Sequence, residues 1–316
     1  MSLSTCPCGR PAVITLRYKH VSLCDLCFKK DVEERAKAVI RSSIPPGAKA
    51  VAALSGGKDS STALYLTYKL TRGLNVEITP LLIDEGISQY RPHTVKRARE
   101  LADMLGLQLV EVSFKEAFGF TLDDLDKAIP SKAIRKTCTY CGVLRRRLLN
   151  VYARKLGAQV LVTGHNLDDL AQTYLMNLMR GDLYALAKLG PYTRPIREKL
   201  VPRVRPLSRV PERESAAYAM LAEIPFSLAE CPYISGFRPK VRELLNEVEA
   251  EKPGFKLGLV ELVEKKLIPK LRELYRGEER LRSCRICSEP TTTEICKVCE
   301  MLKEAKELLS SRKASD

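Results

Sequence analysis

The chain has 316 residues, 45% hydrophobic and 29% charged, a composition that excludes a largely disordered or fibrous chain. At roughly 150 residues per domain the length predicts about two domains, and the start MSLSTCPCGR and the rest of the chain show neither a signal-peptide core nor an apolar run long enough for a membrane span, so a cytoplasmic protein without a membrane partner is expected. Lysine and arginine number 53 against 38 acidic residues, a formal charge of +15, and a polyanion is the natural partner if that charge is localised.

The first segment, residues 1–30, carries Cys6, Cys8, Cys24 and Cys27. Cys24 and Cys27 have the C-x-x-C spacing of a zinc knuckle, whereas Cys6 and Cys8 are separated by one residue, and His20 offers a substitute ligand against its simpler reading as a surface histidine. Residues 31–225 form the body. Residues 49–54 read as a buried strand and 59–70 as a helix. Between them lies Ser55-Gly56-Gly57-Lys58-Asp59-Ser60-Ser61. At a strand-to-helix junction the backbone N–H groups and the helix dipole converge on one point, which suits an anion such as phosphate. The glycines permit a tight cradle, while Ser55, Ser60, Ser61 and Lys58 add donors that a simple turn would not need.

Strands over 76–83 and 107–112, with a helix over 93–105 between them, continue the alternation. Cys138 and Cys141 then precede a helix over 143–156. From 131 to 155 the chain has Lys132, Arg135, Lys136, Arg145, Arg146, Arg147, Arg154 and Lys155 with no acidic residue, and Arg146 and Arg147 are candidate RNA-binding residues. A strand over 159–162 leads through Gly164-His165-Asn166-Leu167-Asp168-Asp169 into a helix over 168–179. The pattern is a doubly wound, mainly parallel α/β sheet, with GHNLDD at the carboxyl ends of the strands beside the phosphate loop. Asn166 or Asp168 there could equally serve as a helix cap.

Residues 180–211 contain Pro191, Pro195, Pro202, Pro206 and Pro211 and read as loop or edge strand, with Arg194, Arg197, Lys199, Arg203, Arg205 and Arg209 either tracking a nucleic-acid backbone or simply solvated. Helices are expected over 212–222, 239–251 and 257–275, and the segment 226–278 carries Cys231. The last segment, 279–316, holds Cys284, Cys287, Cys296 and Cys299 as two knuckles able to place four thiolates on zinc. An odd total of eleven cysteines, repeated C-x-x-C pairs and a reducing compartment favour metal thiolates over disulfides. For Cys138, Cys141 and Cys231 the residues alone leave two readings: three ligands of an iron–sulfur cluster, or a redox pair with an unrelated buried cysteine.

Taken together, SGGKDSS at 55–61, CTYCG at 138–142, GHNLDD at 164–169 and ECPY at 230–233, between cysteine pairs at both ends, resemble the tRNA 2-thiouridine synthetases of the TtuA/TtcA group, within the N-type (PP-loop) ATP pyrophosphatases. The resemblance runs along essentially the whole chain and is nearest to the members that sulfurate 5-methyluridine 54 of the T loop. It implies a tRNA substrate, ATP cleaved between its α and β phosphates with Mg²⁺, adenylation of a uridine C2 oxygen, and replacement of that oxygen by sulfur from a ubiquitin-like carrier protein with a thiocarboxylated C terminus. It further implies an ATP site of Ala53, Ser55, Gly56, Gly57, Lys58, Asp59, Ser60, Ser61, Ile83, Gly164 and Asp169, with Asp59, Asp169 and Arg145 as catalytic candidates. Cys138, Cys141 and Cys231 would hold a 4Fe-4S cluster with one iron open, and the terminal quartets would each hold zinc. Two departures stand out: Cys6-Pro7-Cys8 replaces the family's C-x-x-C, and Arg145 stands where the family often has lysine. The competing readings are a thiolase acting on wobble uridine 34 and a non-catalytic zinc-ribbon RNA-binding redox sensor, which ATP hydrolysis would separate from an enzyme. The sequence leaves open whether the chain forms a homodimer.

Overall fold

The computed structural model describes residues 5–193, 199–276 and 281–313, so Arg194, Pro195 and Arg197 lie outside the described residues. The chain opens with a hairpin of β1 (Ile14–Leu16) and β2 (Val21–Leu23) and enters α1 (Asp25–Ser43) directly from Cys24. Helix α1 buries Phe28, Val32, Ala36, Val39 and Ile40 along one stripe, the three-and-four spacing of an amphipathic helix. That stripe joins the main core, so the boundary expected near residue 30 falls inside a helix shared by finger and body. Phe28 and Ile40 are fully buried, and each stabilises this junction by about 1.5–3 kcal/mol.

The central sheet comprises β3 (Lys49–Ala53), β4 (Glu77–Asp84), β5 (Val110–Ser113), β6 (Val160–Val162), β7 (Tyr192–Thr193) and β8 (Arg203–Val204). Their order is β5–β4–β3–β6–β8–β7. All neighbours run parallel except β7 and β8, as the alternating sequence pattern predicts. Strand alternation divides the core. Ala50, Ala52, Val160 and Val162 pack with α1, α2 (Lys58–Leu70), α3 (Arg91–Leu105) and α9 (Glu212–Leu221). Val51, Leu81 and Leu161 pack on the other face with α4 (Phe114–Phe118), α5 (Leu122–Ala128) and α6 (Thr137–Lys155). The chain runs outward from β3 to β5 and returns on the far side of β3 as β6, so a topological switch lies between β3 and β6, the crevice where such sheets bind ligands.

Helix α6 begins at Thr137, six residues before the expected start, and C-T-Y-C forms its first turn. Gly142 costs a helix roughly 0.5–1 kcal/mol, but burial of Tyr140 and Leu144 on either side outweighs it. Helix α7 (Leu167–Met179) and α8 (Leu183–Ala187) are covered by α10 (Arg238–Glu251), α11 (Phe255–Leu262) and α12 (Ile268–Leu274) around Tyr174, Leu245 and Val260. The single helix expected over 257–275 is interrupted by a π turn at Val263–Leu267, just before Pro269, whose missing N–H cannot continue the ladder. The chain closes with β9 (Arg282–Ser283), β10 (Pro290–Thr291) and α13 (Lys297–Lys313), which places Met301 and Ala305 in the core beside α5 and α6. No helix among the described residues is long and apolar enough to cross a membrane.

Candidate active site

The loop from β3 to α2 depends on two glycines for different reasons. Gly56 has φ +82°, and a Cβ there would stand 1.8 Å from the Thr94 carbonyl oxygen, so the position admits only glycine. Gly164, in the turn after β6, has no positive φ, yet its Cβ would come 2.6 Å from Ser60 N and 2.7 Å from Asp59 C. The GHNLDD turn thus rests directly on the first turn of α2. Ser60 Oγ accepts from Ser55 N at 3.1 Å and donates to Gly57 O at 2.9 Å, which fixes the loop.

A cavity of ≈ 280 Å³ opens here, at the carboxyl ends of β3, β4 and β6. It brings together Ala53, Ser55, Asp59, Ser60, Ile83, Gly164 and Asp169 with Arg145, and adds Glu85, Leu149, Thr163 and His165. Gly56 and Gly57 form the turn of the loop itself, Gly57 as the N-cap of α2, whereas Ser61 and Lys58 do not line the cavity. Ser61 is fully buried behind the loop. Lys58 pairs with Asp59 at 3.1 Å and Glu212 at 2.8 Å and lines a separate groove of ≈ 540 Å³ between β1, α9 and α10.

Asp59 Oδ1 is buried without a hydrogen-bond partner among the described residues, a condition that calls for a missing ligand. Asp169 is the N3 member of a capping box with Asn166. Burial raises its pKa to about 6; the Asn166 N–H and Arg238 oppose the rise, while the charges of Asp59 and Glu212 add to it. Two carboxylates, Asp169 with its charge disfavoured by Asp59, beside a phosphate loop suit a cation such as Mg²⁺. Asp168 does not cap: it accepts from Glu212 N at 2.7 Å and pairs with the buried Lys256. His165 Nδ1 lies 3.0 Å from Thr163 Oγ1. His165 is exposed at the surface, and desolvation by the atoms packed around it, with the charges of Arg205, Arg203, Arg145 and Arg238, lowers its pKa.

Arg145 is held by Glu85 at 3.1 Å, with 46% of its side chain still exposed. Burial works against its charge, but Glu85 and the Cys141 thiol outweigh it and raise its pKa. Glu85 also meets Arg91 at 3.1 Å, and Arg91 donates to the carbonyls of Ser55 at 3.0 Å and Ile83 at 2.8 Å. Neither Glu85 nor Arg91 was singled out from the sequence; the available signal was the charged Asp84-Glu85 pair at the end of a predicted buried strand.

Cys138 and Cys141 project from the first turn of α6, and Cys231 comes from the loop before α10. Burial pushes the Cys141 thiol up to about 12; Arg145 opposes this, and Glu85, Cys138 and Cys231 add to it, so the three thiols lie within one another's electrostatic reach. The Cys231 loop is tied to the nucleotide loop, since Ser227 N donates to Gly56 O at 2.8 Å, and Tyr233 Oη donates to Asp123 at 2.7 Å. Among the described residues only the terminal quartets bring their sulfurs within 4.8 Å of one another. The trio is therefore too wide for one ion. Three free thiols without a fourth fit the larger cubane with an open position.

The quartets fit zinc. Tetrahedral thiolates at 2.3 Å from Zn²⁺ would lie about 3.8 Å apart. Cys8 lies 3.4 Å from Cys6 and 3.6 Å from Cys24, and the C-terminal pairs Cys284–Cys299 and Cys287–Cys296 are at 3.9 and 3.6 Å. Cys27 completes the first group, which the short C-x-C spacing does not prevent, and His20 stays outside it. The backbone N–H of Arg10 lowers the Cys8 thiol and that of Cys296 lowers Cys284, whereas hydrogen bonding to Cys8 raises Cys27 and burial raises Cys296 and Cys299.

The basic run is partly neutralised from a distance. Arg135 pairs with Glu304, and Arg147 and Arg154 both pair with Glu289 of the C-terminal finger. Arg147, expected at the RNA surface with Arg146, bridges α6 to the finger through Glu289, whereas Arg146 has no carboxylate partner among the described residues. Arg205 donates to Gly190 O and Arg209 pairs with Glu264, so these two neither track a backbone nor stand solvated.

The sheet order and the loop at its switch point define a PP-loop protein. Residues 28–247 match the PP-loop domain family. The chain is 37% identical over 314 residues to the tRNA 2-thiolation protein NcsA of Haloferax volcanii, covering 94% of this chain and 97% of that protein. It is 34% identical over 304 residues to the tRNA-5-methyluridine(54) 2-sulfurtransferase of Pyrococcus horikoshii, covering 95% and 94%. The solved U34-tRNA thiolase NcsA from Methanococcus maripaludis, with its 4Fe-4S cluster, matches with a TM-score of 0.79 at 29% identity over 96% of this chain and 97% of that one. The chain belongs to this family of PP-loop tRNA 2-thiolation sulfurtransferases.

Proposed function

We infer that the protein is an ATP-dependent tRNA sulfurtransferase that replaces the C2 oxygen of a uridine with sulfur. The observation that carries this reading is the convergence of a phosphate loop, two carboxylates and Arg145 on one cavity, beside three free cysteines whose loop is hydrogen-bonded to Gly56.

ATP would lie with its phosphates against the Ser55–Ser60 loop and the N-terminus of α2, where backbone donors favour anionic oxygens. The uridine C2 oxygen attacks the α-phosphorus and pyrophosphate leaves. Asp59 and Asp169 would hold Mg²⁺, which offsets charge on the leaving group. Arg145, kept in place by Glu85, offers a fixed donor to charge developing in the cavity. Sulfur then attacks C2, and AMP departs with the original oxygen. Cys138, Cys141 and Cys231 would hold a 4Fe-4S cluster, which supplies an open coordination position for the incoming sulfur. A thiocarboxylated carrier protein fits as the sulfur source. The terminal quartets would hold two structural zinc ions.

Two target positions follow from the relatives. Similarity to the Pyrococcus horikoshii protein supports 5-methyluridine 54, and the TM-score of 0.79 to the U34 thiolase supports wobble uridine 34. Anaerobic incubation with ATP, sulfide and tRNA, followed by nuclease digestion and mass spectrometry, tests both. 2-Thiouridine is expected at one of the two positions, and its absence from both would overturn the reading.

A further inference from the structure

We propose that Arg203 and Arg146 form a binding site for a backbone phosphate of the tRNA beside the nucleoside that enters the cavity. The proposal rests on the tRNA-modifying reading above and adds a subsite to it. Arg203 is aligned with Leu161 in the parallel β6–β8 pair, and aligned partners direct their side chains to the same face of a sheet. Leu161 packs with Leu144 and Leu148 of α6, whereas the next pair, Val162 and Val204, packs on the opposite face. The Arg203 side chain therefore leaves the sheet toward α6. On α6, Arg146 folds back along the helix, its Nη2 3.8 Å from where a Cβ on Gly142 would stand. That is the end of the helix that carries Cys138 and Cys141.

The charges there are unbalanced. Arg145, Arg147 and Arg209 each have a glutamate partner. Arg146 and Arg203 have no carboxylate partner among the described residues, and their neighbours Arg205 and Arg238 donate only to neutral groups: Gly190 O, and Gln172 and Thr173. Burial, with Arg205 and Arg146 nearby, lowers the Arg203 pKa to about 10. Arg203 is half-buried and Arg146 exposed; like charges held together in this way destabilise a free protein, and an anion between them removes the penalty. Arginine's planar fork matches a phosphate. The ATP phosphates already have the Ser55–Ser60 loop, on the α2 side of the cavity. Arg203, with Arg146 beside it, instead carries its charge to within reach of His165 in the cavity wall, where a nucleotide whose base enters the cavity would leave its flanking phosphates.

The test uses the full-length protein and Arg203→Gln, Arg146→Gln and Arg203→Lys. Each Gln variant should lower the slope of log binding constant against log salt by about 0.7–0.9, or roughly a sixfold extra loss of tRNA affinity at 0.1 M relative to 1 M salt. The Lys variant should keep the slope. The Gln variants should melt at a higher temperature than the parent without tRNA, because repulsion is relieved, and half-saturation by ATP should not change. Slopes equal to the parent's, lowered melting temperatures, or a rise in ATP half-saturation with tRNA binding intact would each overturn the proposal. A parent that makes 2-thiouridine while both Gln variants keep the full slope sinks only the phosphate site, whereas a parent that makes none sinks the functional reading beneath it.

Discussion

Replacing Gly164 with alanine probes the contact on which the cavity is built. Its backbone lies outside the left-handed region, so alanine meets no conformational penalty and the effect is steric. The new Cβ would stand 2.6 Å from Ser60 N and 2.7 Å from both Asp59 C and Ser60 Cα, where ordinary contact begins at 3.4 Å. Backbone must therefore yield by roughly 0.8 Å, and overpacking of this kind costs about 1–3 kcal/mol. Neither side yields easily: the Asn166–Asp169 box holds one loop and Ser60, bonded to Ser55 and Gly57, holds the other. The expected result is a melting temperature lower by roughly 2–8 °C and tRNA-dependent pyrophosphate release reduced by about 10²-fold, the scale of an ångström misplacement at a reacting centre. Gly258→Ala is the control, because that helical glycine has nothing within 4 Å of its would-be Cβ and should gain about 0.5–1 kcal/mol. Calorimetry and a pyrophosphate assay read both. Unchanged melting and full pyrophosphate release in Gly164→Ala would refute the close approach of the two loops.

Asp169→Asn should remove activity yet stabilise the nucleotide-free protein. A carboxyl raised from 3.8 to about 6 disfavours its ionised form in the fold, so the penalty is full above pH 6 and gone below pH 3.8; melting scans should show the variant's advantage at pH 7 shrinking toward pH 4, and an advantage constant with pH would contradict it. Glu289→Gln should release Arg147 and Arg154, destabilise the chain by about 1–3 kcal/mol and expose the C-terminal finger to protease. Burial raises Glu289, but the Arg154 hydrogen bond and the charges of Arg147 and Lys199 hold its pKa below the usual value. Its contribution is therefore present at neutral pH and lost as pH falls through the lowered value; an equal effect of the substitution at pH 7 and in strong acid would exclude the bridge. Each of Cys138→Ala, Cys141→Ala and Cys231→Ala should abolish the brown colour of anaerobic protein and its thiolation together while zinc content is kept, because the quartets have separate ligands. Full thiolation by a colourless variant would exclude a cluster held by the trio.

The body of the fold is legible because its signals are local: short apolar runs separated by helical periods, with glycines at the strand ends. The nucleotide loop was legible for the same reason, since seven consecutive residues carry it. What was not legible depends on residues far apart in the chain. The acid-free run at 131–155 looks uniformly cationic, but Glu289 and Glu304 neutralise Arg135, Arg147 and Arg154 from the C-terminal segment. Similarly, Lys58 turns to Glu212, 154 residues away, rather than into the cavity. Helix α6 starts six residues before the expected 143 because burial of Tyr140 and Leu144 carries it through Gly142. Helix α1 had a readable stripe from Phe28 to Ile40; the nearby cysteine pattern suggested a boundary instead.

The central claim is that the uridine C2 oxygen is activated by attack on the α-phosphorus of ATP. A tRNA whose target uridine carries a heavy oxygen isotope at C2 tests it directly. After one round of anaerobic thiolation, mass spectrometry of the released AMP should find the heavy isotope in its phosphate, in amounts matching the 2-thiouridine formed. Heavy oxygen appearing in water or in pyrophosphate, with unlabelled AMP, would contradict the account.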